Sequence, residues 1–403
     1  MQANIAIVIV AYNRSHSLHR LLNSLANANY SGYADIPLVI SIDYSGNEHC
    51  GKLADDFHWP YGLKTVIKHI ENLGLKRHII KCGDLTSLYD AIILLEDDLY
   101  VSAAFYDYAQ QAYQFYNDEE HVAGIALYNY KFNETALCPF EPLTDGYDNY
   151  FMQVPCSSGQ VWTRKHWEGF SKFLVDYEKV EIALPTNVMN WSDRTSWKKL
   201  YFKYIIHSDK YFVYPRISLS TNFGDIGQHF SSRVSVWQSS ILIGKKQFRF
   251  SQINQSFSIY DSYFELAATI YNKIYSSSTS VSFDLNGSKS LEMISTEFLI
   301  SSKVCQRPLK KYCISLYPYE NNILLGIESE DENSFISFGR TKDFLSVNRY
   351  NRIILDVSRT FFNTELLYQQ GREDIYQSNE YRIGRLISYP FRKFKSILRR
   401  IKA

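Results

Sequence analysis

The first half of the chain alternates unbroken apolar runs with stretches in which apolar residues recur every three or four positions. IAIVIVA (Ile5 to Ala11) is apolar throughout, which predicts a strand covered on both faces. Leu18, Leu21, Leu22 and Leu25 then share one face of a helix, with Ser15 placed to cap its start. PLVISID (Pro37 to Asp43), KTVIKHI (Lys64 to Ile70), AIILLEDD (Ala91 to Asp98) and HVAGIAL (His121 to Leu127) predict four more strands. A helix carrying Phe105, Ala109, Ala112 and Tyr116 separates the last two. Strands that alternate with helices predict a parallel α/β sheet with helices on both faces. Ligands of such sheets sit beyond the C-terminal strand ends, where the strand order switches. The residues that follow Ala11, Asp43 and Leu95 are therefore the places to look for chemistry.

The texture then changes. Cys156 to His229 is a Trp-rich helical region followed by a loop, and from about Phe248 to Phe344 short alternating runs such as SVSFDLNGS are broken by Ser and Asn. The expected organisation is an α/β domain over residues 1–240, a smaller β-rich domain over 241–375, and a tail over 376–403. In the tail, Ile383, Leu386, Ile387, Phe391, Phe394, Ile397, Leu398 and Ile401 fall on one helical face, with Arg and Lys on the others. Pro390 divides the tail into two helices.

Charge sharpens the picture of the tail. The 403 residues carry a formal net charge of +1, but Arg382 to Lys402 holds eight basic residues and no acidic one, so the remainder stands at −7. An acidic body argues against nucleic acid as a partner. A basic amphipathic helix is drawn to an anionic membrane surface, at about 1 kcal/mol per basic residue close to the lipid. Packing of the same helix on the acidic body, or a nucleic-acid arm, is the other reading. Six cysteines without the spacing of a zinc site suit a reducing, cytoplasmic setting. The apolar run at the N-terminus is too short to span a bilayer and lacks a basic start, so a peripheral place on the inner membrane face is expected. Aromatic residues make up 16% of the chain, which suits either a sugar-handling surface or an amphipathic core.

Four strand-end features carry candidate chemistry. Glu96, Asp97 and Asp98 in LLEDDL place three adjacent carboxylates at the end of a buried strand. Mutual repulsion calls for a neutralising partner, and Mg2+ or Mn2+ would take one or two of them and complete its shell with diphosphate oxygens and water. The alternative is a solvated acidic turn that favours the next helix. VAYNRS (Val10 to Ser15) can wrap a nucleotide base, with Arg14 pairing phosphate. Asp43 in SIDYSG can accept from a base or ribose. Lys76, Arg77 and His78 in NLGLKRH add positive charge to the next connection. Each feature alone also fits an ordinary turn; their order at successive strand ends is what points to one site.

Those pieces, together with SSGQVWTRKHW, NWSDRTSW and YPRISLSTNFGDIGQHF, resemble the GT-A glycosyltransferases, a Rossmann-like fold for nucleotide-sugar transfer. Within that class the chain is similar to N-acetylglucosaminyltransferase I and the family-2-like enzymes, from about Ile5 to Phe230. The resemblance implies nucleotide contacts at Ala11, Tyr12, Asn13, Arg14, Asp43, Arg77 and His78. It places Glu96 and Asp97 in the acidic motif, Asp98 at the direct metal ligand (Mn2+ or Mg2+) and Asp193 at the catalytic base. Where the family has two acids between its tryptophans, Ser192 replaces the first here. Asn222, Gly224 and His229 match a loop that closes over the donor. Trp162, Trp167, Trp191 and Trp197 flank the acceptor side, with Trp167 and Trp197 expected in the core.

The implied function is inverting, metal-dependent transfer from a nucleotide-diphosphate sugar, with uridine the implied nucleoside, to a hydroxyl of a glycan or lipid-linked glycan. A retaining transferase and a non-catalytic glycan-binding scaffold are the rivals. A nucleotidyltransferase would need a Gly-rich phosphate loop after the first strand, and there is none. For Asp193 the other reading is an acid at the start of the helix TSWKKLYFKY.

Overall fold

The structure is a computed structural model and describes residues 2–226, 236–276, 278–330 and 335–348. The tail over 376–403 and His229 lie outside the described residues. In chain order the strands that build the first part are β1 (Ile5–Ala11), β2 (Leu38–Ile42), β3 (Lys64–Lys68), β4 (Ala91–Glu96), β5 (Leu99–Val101), β6 (Val122–Ala126), β7 (Phe132–Asn133), β8 (Cys138–Pro139), β9 (Asn149–Met152), β10 (Gln160–Thr163), β11 (Tyr211–Pro215), β12 (Ser220–Asn222) and β13 (Ile259–Tyr260). The helices are α1 (Ser15–Ala26), α2 (His49–Asp56), α3 (Gly74–Gly83), α4 (Phe105–Tyr116), α5 (Arg164–Asp176), α6 (Thr186–Met189) and α7 (Trp197–His207). All five expected strands form, each within one or two residues of its expected ends.

Nine strands make one sheet in the order β13-β9-β11-β6-β10-β4-β1-β2-β3. The four from β3 to β4 are parallel, as the alternating pattern predicts. The sheet as a whole is mixed, because β10 runs antiparallel to both β4 and β6. That departs from the all-parallel expectation. β10 also corrects the expectation of a helical region from Cys156: Gln160–Thr163 is a buried strand, and its polar Gln160 and Thr163 gave it no apolar run to be read from.

The chain walks outward from β1 to β3 and then jumps back to β4 on the other side of β1. A right-handed crossover therefore puts α3 on the face opposite α1 and α2. In agreement, α3, α5 and α7 pack on one another, and α1 packs on α2. The reversal opens a crevice at the C-terminal ends of β1 and β4, the place where such sheets bind ligands.

Packing explains the surplus of aromatics. Tyr106, Tyr116, Tyr201 and Tyr214 are fully buried. Their hydroxyls donate to the backbone carbonyls of Ile5 (3.1 Å), Ser251 (2.7 Å), Ala123 (2.7 Å) and Val154 (2.8 Å), so each ring fills core space and its polar end is satisfied. These side chains serve the core rather than a sugar surface. Trp162, Trp167 and Trp197 are likewise buried; Trp162 stacks on Tyr201 at 5.5 Å between ring centroids. Of the four tryptophans singled out, Trp191 alone is partly exposed.

Beyond residue 240 the chain first returns to the large sheet through β13, which pairs with β9. It then forms a four-stranded sheet from Val281–Asp284, Phe298–Ser301, Lys310–Tyr312 and Ile336–Arg340. A buried ion pair joins Asp284 to Lys303, and a part-buried one joins Asp261 to Lys289. The Glu265 carboxylate accepts from the backbone N–H groups of Leu285 (2.8 Å) and Asn286 (2.7 Å). One hydrophobic core runs continuously from Ala3 to Phe338. Among the described residues no helix is long and apolar enough to cross a membrane.

Gly124 on β6 lies under the ring of Phe212 on β11, and a Cβ there would come within 2.4 Å of that ring. Gly124→Ala should therefore cost about 1–3 kcal/mol by overpacking, read as a lowered urea midpoint with an unchanged slope.

Candidate active site

Strands β1 and β4 are paired in register, Val10 opposite Glu96. The turn Ala11-Tyr12-Asn13-Arg14 consequently leaves the sheet beside Glu96-Asp97-Asp98. Asp97 and Asp98 form a tight turn into β5, and β5 pairs antiparallel with β12. The Asp98 carbonyl accepts from the Phe223 N–H at 3.0 Å.

Arg14 is the positive charge of this crevice. Its guanidinium forms an ion pair with Asp97, and its Nη1 donates to Asp98 Oδ2 at 3.1 Å. Arg14 also stands at the N-cap position of α1, and the helix starts at Ser15 with no side-chain cap. Ser15 was expected there; Arg14 takes the position because its head is drawn to the acids. Burial raises the Asp97 carboxyl to about 6, with Arg14 and the Tyr12 N–H opposing the rise. Burial also pushes the Glu96 carboxyl well up, reinforced by repulsion from Asp98 and Asp97.

Asp43, at the end of β2, is buried and spends its carboxylate on backbone. It accepts from the N–H groups of Leu73 (2.8 Å), Gly74 (2.9 Å) and Tyr44 (2.9 Å), and so fixes the start of α3. Gly74 adopts φ +72°, a left-handed conformation that glycine takes without strain. His78, one turn into α3, lies against the Ser41 hydroxyl at 2.7 Å. Burial lowers its imidazole to about 4, so it is neutral near pH 7. Arg77 is exposed and bonded to Glu71 at 3.4 Å. Among the described residues no contact joins Arg77 to the acidic turn.

Asp193 sits in the turn before α7. It is 60% exposed, with its carboxylate 3.3 Å from Lys199 Nζ and 3.9 Å from Lys203 Nζ. Its carbonyl accepts from Lys76 Nζ at 2.9 Å, which ties this turn to α3. Ser196, not Asp193, caps α7. Asn222 ends β12 and accepts from the Gly224 N–H at 2.5 Å.

One ion pair had no sequence signal. Lys198 meets Glu134 at 3.3 Å and lies over the Trp191 ring at 5.4 Å. It is close enough to Glu96 to hold that carboxyl down. In WKKLYFKY this lysine is one basic residue among three, and only the fold turns it towards the acids.

The residues present suit a hard divalent ion. Glu96 and Asp97 are short of positive charge, which a dication would supply. Among the described residues no group of three or more His, Cys, Asp or Glu side chains forms a complete cage. A turn offering one or two carboxylates is what Mg2+ or Mn2+ takes from protein when phosphate oxygens and water finish its shell.

The fold and this crevice define a GT-A-like α/β domain. Residues 6–166, less than half of the chain, match the family model Glycosyl transferase family 2. No curated protein sequence matches the chain. Among solved structures, S. aureus TarS 1-349 is similar over 54% of this chain and 59% of its own, at 11% identity and TM-score 0.34. GalNAc-T7 with UDP, GalNAc and Mn2+ is similar over 59% and 45%, at 14% identity and TM-score 0.41. The mannosyltransferase PcManGT from Pyrobaculum calidifontis, in complex with GDP-Man and Mn2+, is similar over 43% and 47%, at 8% identity and TM-score 0.30. The chain thus spans 45–59% of the length of these structures. At this level of likeness nothing about its substrate or metal follows from them.

Removing Arg14 should leave buried carboxylates unpaired. Arg14→Gln is expected to cost the metal-free protein about 2 kcal/mol at pH 7, less than a wholly buried pair because Arg14 is partly exposed. Asp97 has its carboxyl raised to about 6. The loss should therefore grow as pH rises through that value and shrink towards pH 4, where Asp97 is protonated and only the Asp98 contact of Arg14 remains. Thermal unfolding at pH 4.5 and pH 7, roughly below and above the raised value, reads the difference; a pH-independent loss would contradict the assignment.

Proposed function

We propose that the chain is an inverting, metal-dependent glycosyltransferase that moves a hexosyl or N-acetylhexosaminyl group from a nucleotide-diphosphate donor to a hydroxyl of a glycan or lipid-linked glycan. The observation that carries this reading is the Asp97–Asp98 turn facing Arg14 at the strand-order switch, inside the stretch that matches glycosyltransferase family 2. Uridine is the proposed nucleoside, and residues 241–375 are proposed as a β-rich accessory region.

Each residue has a task in this reading. Ala11, Tyr12 and Asn13 line the turn that receives the base. Asp43 and His78 shape the α3 side of the nucleotide pocket, and Arg14 and Arg77 supply positive charge for the diphosphate. Asp98 would hold Mn2+ or Mg2+, with Glu96 and Asp97 beside it. The ion, when bound, would stabilise the negative charge of the departing diphosphate. The acceptor oxygen attacks the anomeric carbon opposite the diphosphate; the carbon–oxygen bond to phosphate breaks as the new one forms. The hydroxyl proton passes to the Asp193 carboxylate, general-base catalysis worth about 10²–10⁴-fold.

Asp193 lies close to Lys199 and Lys203. Residues 382–402 are proposed to hold the enzyme on an anionic inner membrane face.

Thermal stability with Mn2+ and a panel of nucleoside diphosphates tests the site. A nucleotide held at 100 times its dissociation constant should add about 2.7 kcal/mol to the wild-type chain and nothing to Asp98→Ala. Asp193→Asn should keep that shift but lose about 10²–10⁴-fold in turnover, with the sugar's anomeric configuration inverted in the wild-type product. No shift with any nucleotide would leave the glycan-binding scaffold as the better account. For the tail, removal of residues 382–403 should abolish co-sedimentation with phosphatidylserine vesicles and leave nucleotide binding intact; unchanged sedimentation would sink the membrane assignment.

A further inference from the structure

The polar residues of α1 fall at a helical spacing that the hydrophobic pattern leaves unexplained. Arg14, Ser17, Arg20 and Ser24 lie three or four positions apart, so they share one face. Arg14 holds Asp97 and Asp98. Ser17 Oγ donates to Asp225 Oδ2 at 2.7 Å, and the Arg20 guanidinium forms an ion pair with the same carboxylate. Ser24 Oγ accepts from the Val101 N–H at 3.3 Å. The whole stripe is thus spent on the acidic turn and the two short strands that follow it in space.

These contacts close a ring. Arg20 lies 3.8 Å from the centroid of the Phe223 ring, and the Phe223 N–H is the donor to the Asp98 carbonyl at 3.0 Å. From Asp98 the path returns through Arg14 to α1. The pairing of β12 with β5 spans only Ser220–Val101, Thr221–Tyr100 and Asn222–Leu99. A two-stranded ribbon of that length is marginal by itself, so something must hold β12 in place. Bonds to Leu127, Ser158 and Ser239 do part of this, and Arg20 and Asp225 tie the segment to α1 from a sheltered position, each only 16% exposed.

We propose that Arg20 and Asp225 are positioning residues for Asp98, clamping β12 to α1 so that the turn presents its carboxylate in one geometry. The proposal rests on the reading of Asp98 as the metal ligand. Neither residue is bonded to the Asp98 carboxylate itself: Arg20 meets Phe223, and Asp225 meets Ser17 and Arg20. They act through Phe223 and the Asp98 backbone, and a metal-binding group must be held to within about 0.5 Å by the groups behind it.

The test uses the full chain, Mn2+ titrated in the presence of UDP, and backbone hydrogen exchange over residues 98–101 and 220–224. Asp225→Asn and Arg20→Gln should each weaken Mn2+ binding about tenfold, the size of loss typical when a support behind a metal ligand is removed. Exchange in both segments should quicken, while Tm falls by no more than a few degrees. Lys68→Gln, which breaks a half-exposed ion pair with Asp55 away from the turn, should change neither readout. Wild-type Mn2+ affinity and exchange in both clamp variants would overturn the proposal, assigning the pair to stability alone. A wild-type chain that binds no Mn2+ with UDP would instead remove the metal reading of Asp98, and the positioning role with it.

Discussion

Three carboxylates at the end of an otherwise apolar strand are the constraint around which this site is arranged. The residues before Glu96 are wholly buried, so Glu96 and Asp97 sit where charge is poorly solvated. Such a cluster persists only if positive charge is brought to it. Arg14 comes from the neighbouring strand end and Lys198 from α7. Neither neutralises the group completely, and a site short of positive charge is one that a metal–diphosphate ligand can complete.

The topology decides why those charges can meet. Because the strand order reverses after β3, the C-terminal ends of β1 and β4 become neighbours. Arg14 and the acidic turn are 84 residues apart for the Asp98 contact, yet the parallel register of two apolar strands places them side by side. Backbone pairing deep in the sheet thus sets the electrostatics at its edge. On the α3 side, Asp43 does similar work with backbone donors, anchoring the connection that carries His78 and Arg77.

The same economy appears away from the crevice. Tyrosines fill much of the core, and Tyr106, Tyr116, Tyr201 and Tyr214 bury their rings while their hydroxyls are satisfied on backbone carbonyls. The β-rich region is joined to the large sheet by β13, by a continuous hydrophobic core, and by the Asp261–Lys289 pair. Ion pairs sheltered in this way are poor sources of net stability, but breaking one is costly, so they act to hold a particular arrangement.

How much of this was legible beforehand differs by kind of information. The strands β1, β2, β4 and β6 could be read from runs of apolar residues, since burial on both faces leaves no other pattern. The acidic turn stood out for the opposite reason, as charge abutting such a run. The strand β10 was hidden altogether, because Gln160 and Thr163 interrupt any apolar run in a stretch expected to be helical. The start of α1 was misplaced by one residue, since a serine there looks like a cap while the arginine before it is drawn elsewhere. Lys198, Glu134 and the Arg20–Asp225 clamp were also invisible, each joining segments far apart in the chain. The sequence by itself determined where strands and helices form and which residues carry charge at strand ends, because these follow from local periodicity. Only the tertiary structure decided which charges face one another, because that depends on strand order and register, which no local pattern encodes.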